Sequence, residues 1–372
     1  MRVAFVVSNY TSLENHCPGV CRKIEQQVTA LQNAGVDVCF QGLPDTSLRK
    51  ITSRIPFISD GVNWSRVDIT ETDALYIRKP LFFSKQFVNW IASVKLTTGI
   101  PILIEFPTYP YDSELIGRPH RIPLLAKDLI YRNKLKSYTN RIITYSEDTS
   151  IFGIQTLPVI NGIDFKTTNI RCPNSTLETR SLSMLCVARF HTWHGLDRLI
   201  HGLADYVGQV DEHEVFVHLV GNGPAVNDLK RLTSKLNVDK YVMFHGLKTL
   251  EEYSSIYNKC DLAIECLGLH RKHINRSSSL KTREYLAKGI PFIYSSEIDI
   301  FQEEPVDFCL RVPADDTPID IQQLLDFKNK LYSREPIEQL TNRIRTYAER
   351  HVSMDMTMMP VINYLKEAGK YE

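Results

Sequence analysis

Residues 260–295, CDLAIECLGLHRKHINRSSSLKTREYLAKGIPFIYS, constrain the fold of this 372-residue chain more than any other stretch. The apolar run over 261–267 predicts a buried parallel strand, and a polar loop follows it. Ser277, Ser278 and Ser279 can cap a helix that starts near Leu280 and carries Lys281, Arg283 and Glu284 in its first turns. Gly289 suits a left-handed stop, Pro291 cannot continue a helix, and Phe292, Ile293 and Tyr294 begin a second strand. Unpaired backbone N–H groups at such a helix start form an anion site, and a carboxylate one turn inside can grip a neutral hydroxyl beside that anion. A phosphate and a ribose together satisfy both features.

The same alternation of strand and helix extends along nearly the whole chain, which predicts parallel sheets with helices on both faces. Strands are expected at 1–8, 36–41, 74–78, 100–105, 141–146 and 156–160, with helices at 20–34 and 83–97. Between 161 and 181 the sequence GIDFKTTNIRCPNSTLETR is polar and lacks either period, so it reads as a linker. A second series then runs through 182–188, 196–206, 215–220, 225–236, 242–245 and 250–259 into the opening segment. A weaker strand at 308–312 and helices at 319–332, 337–350 and 357–368 end it. The domains expected are therefore 1–165, completed by a C-terminal helix over 355–372, and 178–350. Ligands of doubly wound sheets lie at the carboxyl ends of their strands.

Composition adds exclusions. A hydrophobic content of 43% with 23% charged residues is that of a folded soluble protein. A net charge of +1 gives no reason to expect nucleic acid. RVAFVV after Met1 is too short for a signal-peptide core, and no run approaches the roughly 18 apolar residues of a spanning helix. The expected location is cytoplasmic. Several of the eight cysteines fall inside apolar strands and read as reduced, buried thiols. His16, Cys17 and Cys21 have neither a CxxC pair nor a second ligand cluster, so no metal is expected.

Four segments, LCVARF-HTWHGLDRLI, HLVGNGP, VMFHGL-KTLEEYSSIYNKCDLAI and SLKTREYLAKGIPFI, follow one another in the order and spacing of the nucleotide-binding lobe of family 4 glycosyltransferases. The chain resembles that family over about 141–350, and more loosely over the first lobe through Gly19 and the INGID segment that contains Asn161. The resemblance implies a GT-B fold: two doubly wound Rossmann-like α/β lobes facing a central cleft. It also implies a retaining, metal-independent transfer of a sugar from a nucleoside diphosphate sugar, with no cofactor.

Carried over residue by residue, the resemblance gives Arg189 to the donor diphosphate. Five residues later the family usually has lysine; this chain has His194, followed by Gly195, and a histidine serves there only if protonated. Fixed cations at a dry site stabilise the departing diphosphate, and Arg189 carries a permanent charge. The bland alternative pairs Arg189 with a carboxylate and lets His194 cap a turn. Glu284 matches the second of two glutamates eight residues apart and would accept the ribose hydroxyls. Arg276 stands at the first, so the donor sugar is not inferred. Ser278, Ser279, Leu280 and Lys281 would cradle phosphate, or else Arg271, Lys272, Arg276 and Lys281 form a solvated basic loop.

Gly221 and Gly223 sit in a strand-to-helix turn, but Val226 occupies the third glycine position of a dehydrogenase fingerprint. A tight turn bordering the donor site is the better assignment. Leu247, with Lys248, lies where the family's backbone meets the nucleobase; UDP-sugar is favoured over GDP-sugar. Gly19 keeps one of two usual glycines, with Pro18 in place of the other. The aromatic loop with Tyr109, Tyr111 and Asp112 is assigned to the acceptor, or alternatively to a hairpin of packed tyrosines. The basic, leucine-rich segment 118–138 suits either an anionic membrane surface or an ordinary amphipathic helix.

These expectations converge on a glycosyltransferase that acts on a lipid-linked glycan at the inner face of the membrane, in cell-surface polysaccharide synthesis. The rivals are a sugar-nucleotide epimerase or phosphorylase on the same scaffold and a non-catalytic nucleotide-sugar-binding subunit.

Overall fold

The computed structural model describes residues 1–11, 14, 18–44, 60–112, 121–173, 181–209, 214–301 and 306–368. The chain divides into two compact units, Met1–Gly162 with Met354–Glu372, and Ile163–Ser353. His16 and Cys17 lie outside the described residues, as do 118–120 of the basic segment.

Unit 1 is built on a sheet in the order β2-β1-β3-β4-β5-β7-β6. Its strands are β1 (Arg2–Ser8), β2 (Asp37–Leu43), β3 (Ala74–Arg78), β4 (Ile102–Phe106), β5 (Arg141–Thr144), β6 (Ser150–Ile151) and β7 (Ile154–Pro158). All pair in parallel except β6 with β7. The near-continuous apolar reading of β1 follows from burial on both faces. Ala4 and Val6 join Leu75, Ile77 and Phe87, while Val3, Phe5 and Val7 join Ile24, Leu31, Val361 and Leu365. The helices of this unit include α1 (Pro18–Asn33), α2 (Lys85–Thr98) and α3 (Ile122–Tyr131). Ser84 caps α2 by accepting the Phe87 N–H, and Gly99 closes it in the left-handed region.

Unit 2 has a parallel sheet in the order β10-β9-β8-β11-β13-β15 and a separate pair, β12 with β14. These strands are β8 (Ser181–Val187), β9 (Glu214–Val220), β10 (Val242–Gly246), β11 (Leu262–Ile264), β12 (Arg276–Ser277), β13 (Phe292–Tyr294), β14 (Glu297–Ile298) and β15 (Cys309–Arg311). Between them run α4 (Leu196–Val207), α5 (Val226–Lys235), α6 (Leu250–Lys259) and α7 (Leu280–Lys288); α8 (Ile321–Arg334) and α9 (Ile337–Val352) follow. Leu196, Leu199, Ile200 and Leu203 recur at helical spacing and bury the inner side of α4 against Leu182, Met184 and Cys186. From β8 the chain moves outward to β9 and β10, whereas β11 lies on the other side of β8. The order reverses between β8 and β11, and a crevice for ligands opens at the carboxyl ends of two such strands.

Most boundaries shift by a few residues from the sequence reading, and two differences matter most. The strand expected over 261–267 ends at Ile264, because Leu267 donates its N–H to the carbonyl of His194 instead of to a neighbouring strand. The C-terminal helix is two pieces, α10 (Met354–Thr357) and α11 (Met359–Ala368), and both pack on unit 1.

Candidate functional site

Four loops meet at the carboxyl edge of the unit 2 sheet. After β8, Ala188 and Phe190 donate to the carbonyls of Val220 and Asn222 at 3.0 and 2.8 Å, and Gly221 donates to Gly246 at 2.7 Å. Gly221 has φ 130°, and a Cβ there would lie 1.9 Å from the Ala188 carbonyl oxygen. Only glycine lets these backbones approach so closely. Gly223 closes the same turn against Phe190. The HTWHG sequence forms a tight turn, Thr192–His194, and at Gly195 a Cβ would sit 2.6 Å from Leu267. The loop after β8 is thereby pressed onto the loop after β11.

Buried arginines hold this edge. Arg198, on α4, donates to the carbonyls of Leu267 at 2.5 Å, Thr317 at 2.8 Å and Pro313 at 2.9 Å. Arg283, on α7, pairs with Asp299 at 2.5 Å and donates to Ser278 Oγ at 3.1 Å. Neither role was read from the sequence, since Arg in an amphipathic helix ordinarily faces water.

Against that frame Arg189 is exposed, and it makes no hydrogen bond or ion pair among the described residues. Its fork is available at the switch point. The carboxylate pairing considered for it is not present.

His194 is 7% exposed, and its Nδ1 accepts the His191 N–H at 3.0 Å, which places the proton of a neutral ring on Nε2. Burial and then the charge of Lys281 lower its pKa to about 2. The expected protonated histidine is therefore corrected: His194 is a neutral N–H donor that also closes a turn.

The fixed second cation is Lys281. Its Nζ lies 3.3 Å from Cys266 Sγ and 3.9 Å from Glu265 Oε1. Burial works against its charge, but its hydrogen bond to the Cys266 sulfur and the Glu265 carboxylate outweigh burial and hold its pKa above the ordinary lysine value.

Ser279 is the N-cap of α7, accepting the Thr282 N–H at 3.3 Å, so Leu280 and Lys281 open the helix with their N–H groups outside the intrahelical ladder. Glu284 sits one turn further along, half-buried. After burial, its charge is the next cause that pushes the Tyr257 phenol well above its ordinary range. Arg276 is in β12 and donates to the Asp299 carbonyl at 3.3 Å. In the basic loop, Arg271 is held by Asp197 and Asp316. Leu247, 79% exposed, follows β10.

The remaining candidates belong to unit 1. Gly19 lies in the first turn of α1 with open space beside it, and Asn161 is buried after β7. Tyr111 is buried and donates its O–H to Asp128 at 2.6 Å; Asp112 accepts from Arg132 at 2.7 Å. The packed-tyrosine alternative thus describes Tyr111, and this corrects its acceptor assignment. Tyr109 is half-buried, edge-on to Phe152 at 5.9 Å.

Unit 1 also contains a hub the sequence reading missed. Glu105, near the end of β4 and 0% exposed, accepts from Arg78 (3.1 Å), Tyr145 (2.9 Å), Tyr76 (3.2 Å) and Gln27 (3.3 Å), with Lys23 Nζ at 3.3 Å. An acid closing the apolar strand ILIEF was the available signal.

Residues 173–304 match the family model described as glycosyl transferases group 1. No curated protein matches the sequence. Among solved structures, Anabaena HepE in complex with UDP and glucose is similar at 15% identity and TM-score 0.59, over 99% of this chain and 100% of that one. A glycosyltransferase from Rickettsia africae is 12% identical with TM-score 0.62, over 100% and 99%. Sucrose-phosphate synthase from Thermosynechococcus elongatus is 14% identical with TM-score 0.60, over 99% and 100%. The chain has the α/β fold of GT-B glycosyltransferases, and its second unit carries the domain of a glycosyl-transferring enzyme.

Proposed function

We propose that the chain is a retaining glycosyltransferase. It takes a sugar from a nucleoside diphosphate sugar and transfers it to a lipid-linked glycan acceptor in cell-surface polysaccharide synthesis. The observation that carries this reading is the unpartnered fork of Arg189 on the same sheet edge as the half-buried ammonium of Lys281, at the reversal between β8 and β11. Charge that develops on the departing diphosphate is best offset by cations already in place, which need no reorganisation during the reaction. Neutral His194 contributes an N–H donor. Glu284 is assigned to the ribose, and the α7 start to phosphate. The acceptor oxygen bonds to the anomeric carbon as the bond from that carbon to the phosphate oxygen breaks, and this oxygen takes the acceptor proton. Orientation supplies the rest of the acceleration.

A UDP-sugar is favoured, in keeping with the UDP and glucose bound to the similar HepE structure. Screening UDP- and GDP-sugars for thermal stabilisation identifies the donor by mass action. With that donor, Arg189→Ala is expected to lower transfer about 10²- to 10³-fold. Unchanged turnover would sink the assignment.

Acceptor contact is assigned to unit 1, with Tyr109 and Asp112 on the loop after β4. On α3, Ile122, Leu129 and Ile130 are 55%, 46% and 52% exposed, and Lys134 and Lys136 follow in the next turn. That combination suits an anionic bilayer. No helix among the described residues is long and apolar enough to cross a membrane. Co-sedimentation with phosphatidylglycerol vesicles, lost in Leu129→Asp, tests a peripheral contact at the inner membrane face.

A second reading, a nucleotide-sugar-binding subunit without transfer, is favoured by the neutrality of His194 at a position where lysine is usual. Tight donor binding with neither transfer nor hydrolysis would identify it.

A further inference from the structure

Glu265 follows the last residue of β11, at the reversal point, and is 1% exposed. Its Oε2 accepts the N–H of Cys266, while its Oε1 is buried and has no hydrogen bond. Such an atom in a native protein calls for an explanation, since leaving a buried acceptor unsatisfied is costly. The nearest cation is the Lys281 ammonium at 3.9 Å, too far for a hydrogen bond and close enough for an ion pair.

The other groups that face Lys281 cannot take this part. Burial pushes the Cys186 thiol up and the Cys266 thiol up to about 12, so both are neutral. His194 is neutral as well. Glu284 lies one turn along α7, beyond ion-pair distance. Among the described residues, the carboxylate within ion-pair reach of Lys281 is that of Glu265.

We propose that Glu265 is a positioning residue that holds the half-buried Lys281 side chain as an ammonium ion at the carboxyl edge of the sheet, ready for a diphosphate. This rests on the donor-site reading of Arg189 and Lys281. The 3.9 Å gap has a mechanical meaning. With no N–H···O bond to Glu265 to break, the ammonium can turn toward an incoming phosphate and give up only its hydrogen bond to the Cys266 sulfur and part of a Coulomb attraction. Without Glu265, burial is opposed by neutral thiols alone, and the amine loses its proton at lower pH.

The test uses the full chain and Glu265→Gln, which keeps an oxygen for the Cys266 N–H. Lysine acylation by acetic anhydride, read at Lys281 by peptide mass spectrometry across pH 7–11, reports protonation without any donor. Wild-type Lys281 is expected to stay protected up to about pH 10, the midpoint to fall to about pH 8 in Glu265→Gln, and protection to return in Glu265→Asp. An unmoved midpoint overturns the proposal.

UDP affinity supplies the second readout. Wild type should bind equally at pH 7 and 9, Glu265→Gln should lose affinity about tenfold over that interval, and Lys281→Gln should bind weakly at both. A uniform loss in Glu265→Gln, with no pH dependence, would make its role merely structural and overturn the proposal. Wild type that does not bind UDP or any nucleoside diphosphate overturns the donor-site reading, while the acylation midpoint still decides whether Glu265 charges Lys281. If Glu265→Gln does not fold, Glu265→Ala carries the same comparison, with a midpoint below wild type expected and an unmoved midpoint overturning the proposal.

Discussion

Glu105 and Glu265 both stand near the carboxyl end of an apolar parallel strand, one in each sheet, and each is almost wholly buried. Their surroundings are opposite. Glu105 is met by two cations, two phenols and an amide, which together lower its pKa to about 2 against the cost of burial. Glu265 has one backbone N–H, one distant ammonium and an oxygen with no hydrogen bond. A saturated carboxylate has nothing left to offer a ligand and fastens α1, β3 and β5 to β4. An unsaturated one leaves its partner cation free to respond.

The largest test of this contrast is Glu105→Ala. It strands Lys23 and Arg78 in a buried space, and breaking a buried pair by removing one partner costs about 3–5 kcal/mol. Denaturant unfolding of unit 1 should show that loss. Equal destabilisation by Glu105→Gln and Glu265→Gln would erase the distinction, because the second is expected to cost only about 1 kcal/mol.

Acid should separate the units next. Glu105 has a folded pKa below its ordinary 4.5, so its contribution is complete above pH 4.5 and lost as pH falls toward 2. At about 1.4 kcal/mol per unit this amounts to roughly 3 kcal/mol. In unit 2, burial lowers His194 to about 2 and His218 to about 4, from 6.5. The unfolded chain then binds more protons below pH 6.5, and stability of unit 2 is lost as pH falls from there. Hydrogen exchange between pH 6.5 and 4.5 should show unit 2 loosening first; simultaneous loosening would break the contrast.

The smallest effect is on Arg189→Ala stability. An exposed side chain without partners should change the unfolding free energy by less than about 0.5 kcal/mol, whatever it does to transfer. A larger change would mean that it supports the fold.

Much of this fold was legible because its signals are local. Ser279 caps α7, Gly289 ends it with φ 73°, and Pro291 precedes β13, as the sequence indicates. The α6 helix begins and ends at the expected residues, started by the Thr249 and Glu252 capping box. The two-residue strands β6, β12 and β14 are too short to carry a period, and they escaped notice. At the candidate site, residue type and order sufficed to nominate Arg189, Lys281 and Glu284. Burial was not legible. That His194 loses its proton, that Tyr111 spends its hydroxyl on Asp128, and that Glu265 faces Lys281 all depend on neighbours 16 to 87 residues away.

The chain leaves unit 1 at Gly162 and comes back at Met354, and at that crossing Ile163 is bridged to Ser353 and donates its N–H to Val352 at 2.8 Å. Unit 2 therefore starts and finishes at one point. In the language of gene construction it is a cassette: residues 163–353 can be cut out as one continuous reading frame, and 162 rejoined to 354 by a short linker. Exchange of that cassette between chains of this fold would replace unit 2 whole while leaving unit 1 with its own terminal helices.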